Sequence, residues 1–551
     1  MSEPAPVSAP VSVAAGPVGP QPLSPEERAI YKERMRDPLW RIRHIYRIKD
    51  KQGNVIPFRP NWVQAELLQD LYVRGHRRLV VLKSRKHGVS TLFELVIFDW
   101  CYFGEHLQAS IVDLTHGNAS DKLVNIVRFV WDHLSPEAKQ ALSPDSSTVI
   151  GFANGSAIHA GKNARGGQNQ LLHVSEWGPI AHEDPERSTE IKTGALPSAD
   201  EGIQLIESTF KGGKGGDFYD LIKRAQETPP EQRTNKDFVF RFFAWWQDSR
   251  NTLEGRVEWI SKPVRKYLDE LEAKLGVQFT DGQRVWYFKT KQEQGIFMAR
   301  EYPSTVEEAF SAPVEGAIFG EIMSEIRAAG HMLPVISWDR SVPVFACWDI
   351  GWDDCTGVWL VQIIGRDVVW LAYDEQRHVN ASQMFMQIEM RGIVIAGHLL
   401  PHDGRNHAPG SGTSYEEELL KAGAVNIVII ERSVNPGSDI NLMRDMLARS
   451  WFAIGACQRG IDAFESYHTK DKMAGGSISK EAVHDWSSHA VSAAIKFAQG
   501  VNAGMVKEAL AKKVLYAPRG PGGEVLVDHD HITQRRARQM NMLAKSGSRR
   551  A

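Results

Sequence analysis

The chain has 551 residues, more than one ordinary core organises, so two or three domains are expected. Its net charge of −2 carries no global positive field, so any nucleic-acid partner must be met by local basic surface. The four cysteines, Cys101, Cys347, Cys355 and Cys457, form no CxxC pair; they support neither a zinc cage nor a disulfide framework, and they suit a reducing cytoplasm. The Pro/Ala/Ser/Val-rich stretch 1–25 lacks the basic and apolar regions of a signal peptide and reads as a disordered tail. No apolar run is long enough to span a bilayer, so no membrane association is expected.

After the tail, "SPEERAIYKERMRD" reads as a short helix capped by Ser24, with Pro25 at its first position. From Arg78 onward, the apolar strands "RRLVVL", "ASIVDL", "QLLHVS" and "IQLIES" alternate with helical patterns such as "STLFELVIFDWCYF" and "SDKLVNIVRFVWDHL". Such alternation predicts a largely parallel α/β sheet. "KPVRKYLDELEAKLG" follows as an amphipathic helix. "VPVFACWDIG", "TGVWLVQIIG" and "RDVVWLAYDEQ" then read as a three-strand meander, succeeded by further α/β alternation and a last helix, "DWSSHAVSAAIKFAQG".

The stretch "VVLKSRKHGVST", between the first strand and the first long helix, has the form of a displaced phosphate loop. In the usual GxxxxGK[ST] loop, backbone N–H groups wrap the phosphates, the lysine neutralises β/γ charge and the hydroxyl holds Mg²⁺. With Gly88 as the second glycine, Ser90 takes the hydroxyl position beside Thr91, and Val89 stands where the lysine is expected. Lys83 at the loop entrance supplies the missing charge, with Ser84, Arg85, Lys86 and His87 completing the loop. "LLHVSEWG" reads as a Walker B strand with Ser175 in place of aspartate, and Glu176 follows as a carboxylate able to orient the attacking water. Ser208 and Thr209, ending "QLIESTF", are hydroxyls able to sense the γ-phosphate, and Gln64 precedes a helix where it can read an adenine edge.

The ordered set of Gln64, "KSRKHGVST", "GKNARGG", "HVSEWG" and "IESTF" resembles the large terminase subunit of tailed bacteriophages, a DNA-packaging motor. "RFFAWWQDS" and "EYPSTVEEAFSAPVEGAIF" are similar to the segments after that family's ATPase core and into its nuclease domain. The resemblance implies that Lys83 contacts phosphate, that Ser90 or Thr91 holds Mg²⁺, and that Glu176 is the catalytic carboxylate. It further implies that Ser208 and Thr209 couple hydrolysis to movement, and that Arg165 or Arg85 acts as an arginine finger.

Three acids lie further on: Asp349 at a strand end, Asp403 ending "GHLLPHD", and Asp485 opening the last helix. Acids from separate segments are what a two-metal nuclease needs, because hard cations take carboxylate oxygens. The meander followed by α/β alternation resembles the RNase H-like fold, on which terminases carry their nuclease. "LPHDG" and "HDWSSHA" are similar to the family's second and third acid motifs, although Ser492 stands where many members have an aspartate; Asp485 is taken as the third ligand. Asp354, His402, His484 and His489 are near enough to assist or to bond from behind, and Asp353 reads as a turn residue.

The expected fold is therefore α/β, with an N-terminal P-loop NTPase-type, mostly parallel sheet and a C-terminal RNase H-like nuclease domain. The expected layout is tail 1–25, ATPase domain 26–251, connector 252–333, nuclease domain 334–501 and a polar, basic tail 502–551. The expected activities are ATP hydrolysis with Mg²⁺ and metal-dependent DNA cutting, in which Mn²⁺ can substitute. By resemblance the partners are double-stranded DNA, the portal protein of a procapsid, a small terminase subunit and further copies of the chain in a ring, in host cytoplasm. Lys211 and Lys214 in "FKGGKGGDF" read either as DNA contacts or as a surface loop, and "QRRAR" as a docking or DNA-gripping tail. Rival readings are another ATP-driven helicase–nuclease, or a packaging protein whose sites have degenerated, as Val89, Ser175 and Ser492 would suggest.

Overall fold

The computed structural model describes residues 24–164, 167–351, 355–406, 412–433, 435–469 and 482–506. Arg165, Asp353, Asp354 and the basic C-terminal tail, all singled out in the sequence, lie outside the described residues. β1 (Arg47–Lys49) and β2 (Val55–Pro57) pair as a short antiparallel hairpin. The next eight strands are β3 (Arg78–Lys83), β4 (Gln108–Val112), β5 (Leu142–Asp145), β6 (Val149–Phe152), β7 (Ala157–Gly161), β8 (Leu171–Ser175), β9 (Ile203–Ser208) and β10 (Val239–Phe243). β3, β4, β8 and β9 are the four strands read from the sequence. β5, β6, β7 and β10 were not legible there, because each is only four or five residues long and none is buried throughout.

The chain divides into two compact units, one from the described parts of 1–77, 88–173 and 201–205, the other from 78–87, 174–200 and 206 onward. In the first, the sheet order is β9-β8-β4-β7-β6-β5, with β4 parallel to β7 and β6 antiparallel to both β7 and β5. In the second, it is β10-β3-β9-β8, with β10 parallel to β3 and Val239 opposite Leu79. Every residue of β3, β8 and β9 is buried, the pattern of strands covered on both faces. The helix read from "STLFELVIFDWCYF" is Val89–Phe103. "SDKLVNIVRFVWDHL" is helical too, with a π-helical stretch at Leu123–Arg128.

In the second unit, the helix Lys262–Leu275 buries Val264, Leu268 and Leu271 on one stripe, in a cluster with Trp245, Phe279 and Tyr287. Beyond it lies a seven-stranded sheet built from β11 (Met332–Leu333), β12 (Val344–Asp349), β13 (Cys355–Ile364), β14 (Asp367–Arg377), β15 (Ile395–Pro401), β16 (Ile427–Ile430) and β17 (Ser450–Ala453). Its order is β11-β17-β14-β13-β12-β15-β16. β12, β13 and β14 are the antiparallel meander, β15 runs parallel to β12, and β16 runs parallel to β15. This is the RNase H-like arrangement that the sequence led us to expect.

Alternation along β12 separates two cores. Phe345 and Cys347 pack with Trp359, Trp370, Phe464 and Phe497, while Val344, Ala346 and Trp348 pack with Met384, Phe385 and Leu419. The first face is covered by the helices Ile454–Ser466 and Ser488–Asn502, and the second by Ala381–Glu389 and Tyr415–Ala422.

Candidate functional site

Lys83 closes β3, whose residues between Arg78 and Lys83 are all apolar. Its ammonium lies 2.9 Å from Glu207 Oε2, at the end of β9, and 3.8 Å from Glu176 Oε1, just past β8. The side chain of Glu207 is fully buried and that of Lys83 is 8% exposed, so the ion pair is screened from water. The Lys83 pKa is affected most by burial, which lowers it; Glu207 and Glu176 outweigh that, and the net result is a raised value. The ammonium is therefore charged at neutral pH.

Glu176 is held in a left-handed backbone conformation at φ 56° and ψ 41°, immediately ahead of the helix Trp177–Glu183. A non-glycine residue there costs about 1 kcal/mol or more. The strand-to-helix corner is fastened on three sides. Glu176 N–H donates to the Glu207 carbonyl at 2.8 Å, and Gly178 N–H donates to Ser208 Oγ at 3.0 Å. The Thr209 hydroxyl donates to Glu176 Oε2 at 3.3 Å; Ser208 Oγ lies 3.4 Å from the same oxygen and makes its shorter bond, 2.5 Å, to the Thr209 carbonyl. The hydroxyl pair and the carboxylate picked out in the sequence thus meet directly. Ser175 Oγ, where an aspartate was expected, donates to Glu207 Oε1 at 2.7 Å.

The rest of the loop is tied down by residues that the sequence did not mark. Ser84 Oγ and His87 Nε2 are 2.7 Å apart, and His87 Nδ1 is 3.6 Å from Asp248. Burial holds His87 down at about 4, so the ring is neutral at pH 7. Arg250 grips both oxygens of Asp248 and also donates to the Lys86 carbonyl at 3.2 Å, where Lys86 has φ 71°. Arg85 N–H donates to the Glu301 carbonyl at 3.0 Å, and the Arg85 guanidinium bonds the Glu301 carboxylate. That ion pair occupies Arg85 within its own chain.

In the first unit, Gly88 caps the helix Val89–Phe103 at φ 74°, which suits glycine, and a Cβ there would sit 2.8 Å from Gln64 Nε2. Ser90 and Thr91 lie half-buried in the helix's first turn, after buried Val89. Gln64 donates to the Gly88 carbonyl at 2.8 Å and accepts from Asn61 N–H at 2.9 Å. Both ends of its amide thus bind the chain's own backbone, which fixes its orientation and leaves one N–H and one lone pair over.

Asp349 ends β12, and Asp403 follows β15, the parallel neighbour of β12, so both acids sit at one sheet edge. His489, in the first turn of the last helix, places Nδ1 3.1 Å from Asp349 Oδ2. Asp403 is exposed beside His402, 3.0 Å away. Asp485 accepts from Ser487 N–H and its hydroxyl at 2.9 and 2.5 Å. Burial pushes the Tyr467 phenol up to about 12, with Asp485 and Asp349 adding to the shift. Burial lowers Lys496, and Asp439, Asp349 and Asp403 oppose that. Ser492 stands three residues past His489, on the same helix face.

Among the described residues, no three His, Cys, Asp or Glu side chains are close enough to hold one ion. Asp349, Asp403 and Asp485 are therefore not gathered around one point in this structure. The nucleotide side differs. Magnesium on a nucleotide takes only one or two carboxylates, with phosphates and water completing the shell. Glu207 and Glu176 provide hard oxygens of that kind.

The glycine loop after Thr209 is bound to the RNase H-like part of its own unit. Lys214 pairs with Asp462 at 3.1 Å, Arg459 donates to the Lys214 carbonyl at 2.8 Å, and a Cβ on Gly215 would lie 2.2 Å from the Trp486 indole. Lys211 pairs with Glu183 at 2.8 Å. Glu207, Asp248 and Glu301 are the residues that sequence reasoning missed. The available signal was a charge inside an apolar stretch, "IQLIES" above all, since a buried acid needs a partner.

Among the described residues, no helix is long and apolar enough to cross a membrane. No sequence family profile matches the chain, and no curated protein matches it in sequence. Solved structures do match. The large terminase of bacteriophage HK97 is 13% identical, covers 86% of this chain and 99% of its own, and has a TM-score of 0.44. The ATPase domain of the large terminase of Thermus phage P74-26 is 15% identical over 45% of this chain and 94% of its own, with a TM-score of 0.31. The nuclease domain of the P22 large terminase is 17% identical over 34% of this chain and 93% of its own, with a TM-score of 0.27. The chain is thus similar in structure to large terminases, along most of its length in the first case.

Proposed function

We propose that this chain is an ATP-hydrolysing DNA-packaging motor subunit whose second domain cuts DNA. The observation that carries the reading is the meeting of Lys83, Glu176 and Glu207 at the ends of β3, β8 and β9. A lysine, a water-orienting carboxylate and paired hydroxyls at adjacent strand ends are parts that phosphoryl transfer from a nucleotide requires. Loop N–H groups and Lys83 hold the phosphates and neutralise charge that builds toward the leaving oxygen. Glu176 accepts the proton of the attacking water, while the Thr209 hydroxyl holds its carboxylate in place. Bound magnesium would add to the neutralisation of phosphate charge that Lys83 begins.

For the second domain, the RNase H-like strand order supports a nuclease, as do Asp349 and Asp403 on neighbouring strand ends. Asp485 is the third candidate acid. The sequence motifs add the packaging context: double-stranded DNA, a portal, a small subunit and a ring of copies in host cytoplasm. The decisive experiment compares wild type with Glu176→Gln and Asp349→Asn. Glu176→Gln is expected to lower ATP hydrolysis by about 10²-fold or more and to leave Mn²⁺-dependent DNA cutting intact. Asp349→Asn is expected to do the reverse. ATP hydrolysis that is absent in wild type, or indifferent to Glu176, refutes the reading.

A further inference from the structure

Phosphate-loop enzymes place a lysine inside the loop and an acid at the end of the Walker B strand, the acid holding magnesium. In this chain both positions are neutral, being Val89 and Ser175. The two losses are answered together. The replacement lysine, Lys83, and a carboxylate on the strand next to Walker B, Glu207, lie 2.9 Å apart. The Ser175 hydroxyl points at the same carboxylate, donating to Oε1 at 2.7 Å. The Glu176 N–H bond to the Glu207 carbonyl, at 2.8 Å, keeps the two strand ends in step. Glu207 therefore brings its carboxylate to the end of the strand from which the aspartate is missing.

A role for Glu207 only in balancing Lys83 would need one carboxylate oxygen. The structure engages both, one with the lysine and one with the serine at the acid's usual position. Burying a carboxylate completely is costly, and retention of one here is consistent with a ligand's role. We propose that Glu207 is the magnesium-side carboxylate of the nucleotide site, its acid moved by one strand as the lysine moved to the loop entrance. This rests on the ATPase reading above and gives Glu207, which that reading places beside Lys83, a specific role at the magnesium side.

The test measures equilibrium binding of a non-hydrolysable ATP analogue to the full chain, in Mg²⁺ and in EDTA. Wild type is expected to bind more tightly in Mg²⁺. In Glu207→Gln the gain from Mg²⁺, read as the ratio of affinities in Mg²⁺ and in EDTA so that any effect of unpairing Lys83 cancels, is expected to fall by about tenfold or more. Ser175→Asp combined with Glu207→Gln is expected to restore it, since the acid returns to its usual strand. Glu207→Asp keeps the charge for Lys83 but withdraws the carboxylate by one methylene, and guards against misfolding of the neutral variant. A fall in its Mg²⁺ gain supports the proposal. A wild-type Mg²⁺ gain in either single variant overturns it and leaves the ATPase reading standing. Wild type that binds no nucleotide overturns both.

Discussion

Replacement of Lys83 by methionine tests whether the ion pair at the end of β3 is one energetic unit. The substitution keeps most of the buried stem and removes the charge that faces Glu207 at 2.9 Å and Glu176 at 3.8 Å. With an effective dielectric of about 20, the gross attractions at these separations are about 6 and about 4 kcal/mol. Desolvation of the ammonium offsets much of that, so the net loss on breaking the pair is expected at about 3–5 kcal/mol. Most of it comes from leaving the buried Glu207 carboxylate without its cation. Glu207→Gln is expected to cost a similar amount, because it strands Lys83. The double variant should cost less than the two single losses together, by about 2–3 kcal/mol. Hydrogen exchange of the β3 and β9 amides reads this locally, without assuming that the whole chain unfolds in one step. ATP hydrolysis is expected to collapse in both variants carrying Lys83→Met. Additive exchange effects would refute the claim that Lys83 and Glu207 act as a pair, and normal hydrolysis in Lys83→Met would remove Lys83 from the site.

Gly215→Ala sets a methyl into the space of the Trp486 indole, and should destabilise the docked loop by about 1–3 kcal/mol. Faster amide exchange at Asp485–Ser488 is the readout, and unchanged exchange counts against the docking. Burial holds His398 at about 3, against its ordinary 6.5. The folded state thus binds fewer protons than the unfolded state between those values. Stability from this group is whole above pH about 6.5 and falls as the pH drops, by about 1.4 kcal/mol per pH unit. His398→Gln should lack that part of the slope in urea titrations at pH 7 and 5.5. Trp359→Ala empties the centre of the RNase H-like core and should cost about 3–5 kcal/mol, seen as a lower melting temperature.

The fold was legible where apolar strands are long and continuous. β3, β4, β8, β9 and the β12–β14 meander stand out because buried strands must be apolar and their turns must not be. β5, β6 and β7 were not legible, since strands of four or five residues carry a weak pattern. Of the candidate site, Lys83, Glu176, Ser208 and Thr209 were picked out by their places at the ends of such strands. Glu207 was not legible as a site residue, because its partner Lys83 stands on another strand, distant along the chain.

By itself, the sequence determined which strands alternate with which helices, that a cationic glycine loop follows the first of them, and that acids close the later ones. Periodicity and loop chemistry are local properties, written within a few residues of one another. Only the tertiary structure decided who partners whom: Glu207 with Lys83, Asp248 with His87, Glu301 with Arg85, His489 with Asp349. A buried charge is stable only beside its counter-charge, and that partner is chosen by strand order and proximity in space, which residues distant along the chain do not reveal.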